Sequence, residues 1–119
     1  IQGTKPVQTI MVLDSEQVLG AAILSALQAE GDLAVSGFSP TSALQLCEKL
    51  RCSSVDTLIL NSTAEVALEV QRNYRRFCSG GGLRVIEVDV DENLVRVDGL
   101  PGFPINGLYE LIKIVRSTR

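Results

Sequence analysis

A chain of 119 residues with 45% hydrophobic content is the right size for one domain around one core. Its net charge of −3 argues against direct nucleic-acid binding, which needs clustered Lys and Arg. The absence of histidine excludes Ser-His-Asp and Cys-His sites, His-ligated metals and imidazole acid–base chemistry.

No apolar run approaches the roughly 20 residues of a membrane helix, and the N-terminus lacks a basic-then-apolar signal layout. Cys47, Cys52 and Cys78 fit no zinc or redox spacing. Cys47 reads as a small core residue on an apolar helical face, and a reducing cytoplasm is the expected compartment. The chain begins with Ile, which suggests a piece of a longer protein. Residues 1–8 are expected to be a tail or linker, and 9–119 the domain.

Residues 9–13 (TIMVL) form a nearly continuous apolar run, the pattern of a central parallel strand covered on both faces. Asp14 and Ser15 offer N-cap oxygens to a helix over 16–30. In it Val18, Leu19, Ala22, Ile23, Ala26 and Leu27 keep helical spacing, and Gly31 is the stop. Residues 33–38 (LAVSGF) read as a second strand. Ser39-Pro40 then supplies a cap with proline in the first turn, starting a helix with Ala43, Leu44, Cys47 and Leu50 inward. Residues 56–61 (DTLILN) are a third strand. Ser62 or Thr63 caps a helix burying Val66, Val70, Tyr74 and Phe77, which the glycines at 80–82 end. Residues 83–90 (LRVIEVDV) are a fourth strand. The last helix runs over 107–115, capped by Asn106, with Leu108, Leu111, Ile112 and Val115 inward.

Strands alternating with helices imply right-handed βαβ units and a mostly parallel sheet. One segment breaks the rhythm. Only Asp91, Glu92 and Asn93 separate Val90 from Leu94, and a parallel crossover needs a dozen or more residues. The spacing predicts a hairpin, with residues 94–97 (LVRV) antiparallel to the fourth strand. Val95 and Val97 alternate with Arg96 and Asp98, which suits an edge strand. The alternative is a fourth strand that ends early, followed by one helical turn over 90–93.

In this order of elements the chain resembles the receiver domain of bacterial response regulators, the CheY-like fold. The likeness is carried by MVLDSEQVLGAAILSALQAEGDLAVSGFSPTSALQLCEKLRCSSVDTLILN, with its strand–acid–helix–strand–helix–strand order. It covers residues 9–78 and falls away beyond 80. It implies an α/β, flavodoxin-like sheet in a three-layer α/β/α arrangement, strand order 2-1-3-4-5, the family's fourth helix being replaced by the hairpin. In that family two acids after the first strand and one Asp after the third hold Mg²⁺, and the last accepts a phosphoryl group. Here Asp14 matches the first acid, Ser15 replaces the second, and Asn61 stands at the acceptor position. A carboxamide has no anionic oxygen, and one carboxylate, one hydroxyl and one amide suit Mg²⁺ poorly. Asp89 stands roughly where the family has Ser or Thr, and Leu100-Pro101 where it has Lys-Pro. The resemblance therefore implies an atypical receiver with a vestigial pocket of Asp14, Ser15, Asn61 and Asp89, no catalytic residue, no metal and no cofactor.

Other features have plain structural explanations. Asp14 reads as a helix cap before it reads as a ligand. Arg72, Arg75 and Arg76 complement the end of a helix dipole, Ser79-Gly80-Gly81-Gly82 is a linker-like turn, and the acids at 87, 89, 91 and 92 surround a solvated turn. The apolar loop LPGFPI contains Leu100, Phe103 and Ile105. With Arg96 and Tyr109 it is a candidate partner surface; alternatively it plugs the space of the missing helix. The resulting expectation is a phosphorylation-independent protein–protein interaction module of a bacterial signalling or transcription regulator. Its partner would be a protein or a second copy in a homodimer, with any output domain elsewhere and no membrane contact. The alternative is a small-ligand or anion sensor using the crevice beyond the first and third strands, where Ser15, Ser62 and Thr63 would make the contacts.

Overall fold

A computed structural model describes residues 8–14, 17–40, 42–52, 54–61, 83–89, 91–98 and 102–117. In chain order the elements are β1 (Gln8–Leu13), α1 (Val18–Gln28), β2 (Leu33–Phe38), α2 (Ala43–Arg51), β3 (Thr57–Asn61), β4 (Arg84–Asp89), β5 (Leu94–Val97), β6 (Phe103–Pro104) and α3 (Leu108–Ser117). The strands form one sheet in the order β2-β1-β3-β4-β5-β6. β1 to β4 pair in parallel with one another, with Ile10 beside Thr57 and Asn61 beside Val88. β5 runs antiparallel to β4, and β6 antiparallel to β5. The α/β class and the order 2-1-3-4-5 are those of a flavodoxin-like sheet.

Alternation along the central strands sends side chains to two faces. On one face Ile10, Val12, Ile59, Ile86, Val88 and Val95 pack with Ile23 and Leu27 of α1 and with Leu111 and Val115 of α3. On the other, Met11, Leu13, Leu58, Leu60 and Val85 pack with Leu46 of α2. Burial on both sides explains the unbroken apolar runs of β1 and β3, since each fully buried side chain contributes about 1.5–3 kcal/mol.

Several expected boundaries move. α1 begins at Val18 rather than Glu16, with Gln17 at its N-cap in an extended conformation and no side-chain cap bond. Asp14 is therefore not the cap; it lies in a left-handed turn (φ 55°) that ends β1. α2 is capped by Ser42, whose hydroxyl accepts from the Gln45 N–H at 3.1 Å. The Ser-x-x-Gln spacing at 42–45 is that of a capping box, and it displaces Ser39-Pro40 as the start. The buried face also differs from the expected one. Leu46 becomes the fully buried residue, Leu44 is 69% exposed, and Cys47 is half-buried. Asn106 meets α3 through its backbone, donating its N–H to Glu110 Oε1 at 2.6 Å. Gly107 (φ 151°) takes the position before the helix, a conformation that side chains rarely adopt.

β5 is not the edge strand. Phe103 and Pro104 pair with Val95 and Leu94, and the Ile105 N–H donates to the Asn93 carbonyl at 3.0 Å. A proline at 104 is compatible with this because an edge strand has one side that needs no donor. The helix expected after Ser62, and with it Arg72, Arg75, Arg76 and the glycines at 80–82, lies outside the described residues.

Candidate functional site

The carboxyl ends of β1 and β3 form the crevice where open α/β sheets bind ligands. Asp14 turns the chain there. Its N–H donates to the Phe38 carbonyl at 2.9 Å, and its own carbonyl accepts from the Gln17 N–H at 3.0 Å. Asp tolerates the left-handed conformation better than most side chains. Asn61, the last residue of β3, is half-buried across the crevice. Leu13, Asp14, Gln17, Ile23, Ile59 and Asn61 are among the residues that bound a space of about 10 Å³. That is room for about one water molecule.

Asp89 does not join this group. Its neighbour Val88 pairs with Asn61, so alternation directs residue 89 to the opposite face. Its carboxylate is engaged locally, with Oδ1 accepting from the Glu92 N–H at 3.1 Å in the turn before β5. Of the four positions in the expected vestigial pocket, Asp14 and Asn61 come together and Asp89 stands apart. Ser15 lies outside the described residues, as do Ser62 and Thr63. Among the described residues no three His, Cys, Asp or Glu side chains cluster as a metal site would require.

The expected partner surface is also divided. Ile105 is half-buried and packs against the core shared by α1 and α3. Arg96 is half-buried on β5, with its Cγ close over Gly102; a Cβ there would sit 3.3 Å away. Tyr109 is 74% exposed, with Lys113 Nζ 5.5 Å from its ring centroid. The backbone of Phe103 forms β6, and Leu100 lies outside the described residues.

At the opposite end of the sheet is a polar group that the sequence pattern concealed. Thr57 Oγ1 accepts from Gln8 Nε2 at 3.2 Å and from Arg84 Nη2 at 3.4 Å. These three residues link β1, β3 and β4 beneath the core. Gln8 was expected to lie in the N-terminal tail; it is 7% exposed in β1, and Thr57 is fully buried. A hydroxyl in an otherwise apolar run was the one available signal.

The chain matches no family model, no curated protein and no solved structure compared with it. Among the described residues no helix is long and apolar enough to cross a membrane.

Proposed function

We propose that this chain is an atypical receiver-like domain that works without phosphorylation, as a protein–protein interaction module of a cytoplasmic bacterial regulator. In this reading the fold is a three-layer α/β/α sandwich, and the antiparallel excursion through β5 replaces the family's fourth helix. The observation that carries the proposal is Asn61 at the end of β3, bounding with Asp14 a space of about 10 Å³. An amide there neither accepts a phosphoryl group nor adds negative charge for a divalent cation. The engagement of Asp89 in its own turn supports the same reading.

The test is incubation with acetyl phosphate and Mg²⁺ followed by intact-mass measurement. No added phosphoryl group is expected, and an acid-labile adduct would overturn the proposal. The single substitution Asn61→Asp is expected to remain unlabelled as well, because Ser15 still stands in place of the second acid and Leu100-Pro101 in place of the Lys-Pro pair. The ligand-sensing alternative requires the crevice to open well beyond one water. Stabilisation of the protein by an anion, abolished in Asn61→Leu, would favour it.

A further inference from the structure

The two edges of the sheet are unlike. β6 is two residues long and contains Pro104, and short, proline-bearing strands are how proteins blunt an edge. At the other edge β2 (LAVSGF) is six residues long, without charge, proline or, in its pairing with β1, a bulge. Ala34, Ser36 and Gly37 are exposed.

The backbone polarity of β2 is fixed by two bonds. The Phe38 carbonyl points inward and accepts from Asp14 N–H at 2.9 Å. The Val35 carbonyl is reached from α1 by Gln28 Nε2 at 3.4 Å. Alternation then turns the N–H and C=O groups of Leu33, Val35 and Gly37 away from β1. The Leu33 N–H is used locally, donating to the Glu30 carbonyl at 3.2 Å.

We propose that the β2 edge pairs antiparallel with β2 of a second copy of this chain, continuing the sheet across a two-fold axis. This rests on the interaction-module reading above and names its surface. The outward groups are self-complementary about such an axis. Val35 meets Val35 of the other copy with both N–H and C=O, while each Leu33 carbonyl receives a Gly37 N–H. The charges at the ends also match. Glu30 and Asp32 with Arg116 lie just before β2, one acid in excess, while Lys49 lies over Phe38 at its far end. Antiparallel pairing sets the acidic end of each copy beside the lysine end of the other. It also keeps the two acidic ends about 20 Å apart, beyond the screening length at physiological salt. The long Gln28 bond is the contact this pairing would loosen.

The test is solution mass against concentration, together with amide exchange. The unaltered protein should dimerise. The Val35 and Gly37 amides should become protected as concentration rises, while Ala34 and Ser36, turned toward β1, stay protected throughout. Ser36→Lys places a charge on an exposed position of the strand and should weaken the dimer about tenfold or more, with its melting curve confirming that the monomer remains folded. A dimer that survives Ser36→Lys with Val35 and Gly37 unprotected would overturn the proposal. So would a protein that stays monomeric but binds a peptide of the β2 sequence. Neither result alters the phosphoryl-transfer test, so the two readings fail separately.

Discussion

From β2 to β4 the sheet is parallel, and helices link β2 to β1 and to β3; from β4 to β6 it is antiparallel. The burial patterns differ accordingly. In β1 four consecutive residues, Ile10 to Leu13, are at most 2% exposed, because α1 and α3 cover one face and α2 the other. In β5 Val95 alone is buried, and its neighbours are partly open. The length of the connection dictates strand direction. The layers it leaves room for then dictate whether a strand reads as a solid apolar run or as an alternating one.

Core truncations test this contrast most severely. Ile59 is fully buried in β3 beside β1 and β4, and Ile59→Ala should cost about 2–5 kcal/mol of unfolding free energy. Val95 is equally buried but lies in the antiparallel half, and Val95→Ala should cost about 2 kcal/mol. Urea midpoints at an unchanged slope measure both. A Val95→Ala loss matching or exceeding that of Ile59→Ala would show that the antiparallel half is as central to the fold as the parallel half.

Much of this architecture was legible in the sequence, for identifiable reasons. The runs at 9–13 and 56–61 announced buried strands, and the three residues at 91–93 announced a change of direction, because both signals rest on chain length and apolar content. Helix starts were less legible. Ser39-Pro40 and Ser42-x-x-Gln45 are both acceptable caps, and only packing selects between them. β6 was hidden because two residues carry no periodicity. Asn61 was legible as the polar residue closing an apolar strand, and β3 does end there. The separation of Asp89 from it depends on strand parity, which follows from the register between β3 and β4 rather than from either segment alone.

Asp98 sharpens the comparison at the end of β5. Its N–H donates to the Val85 carbonyl at 2.7 Å, and its Oδ1 accepts from the Val85 N–H at 2.9 Å, while its own φ is 54°. Asp98→Ala removes the acceptor and leaves a left-handed alanine. The expected loss is about 1–3 kcal/mol, next in size after the core truncations. Asp98→Asn keeps a carbonyl oxygen and tolerance of that conformation, so it should recover most of the loss. If Asn behaves like Ala, the negative charge rather than the acceptor geometry holds this corner.

The smallest expected effect lies at Arg116, which ties the end of α3 to the turn before β2. Its guanidinium donates to both carboxylate oxygens of Asp32, at 2.6 and 2.7 Å, and to Glu30 at 2.6 Å. Asp32 first, and then Glu30, hold its pKa above the ordinary value. The contribution is therefore fully present below the ordinary pKa, and no alkaline loss is expected in the working range. The group is exposed, so water and salt screen it strongly. Arg116→Lys keeps the charge but loses the planar fork that matches a carboxylate. It should lower the melting temperature only slightly at low salt, and the difference from the unaltered protein should vanish as salt rises. A difference that persists in high salt would mean that the stem of Arg116 acts by packing α3 against the turn, making this corner part of the parallel half's core rather than a charged clasp on its surface.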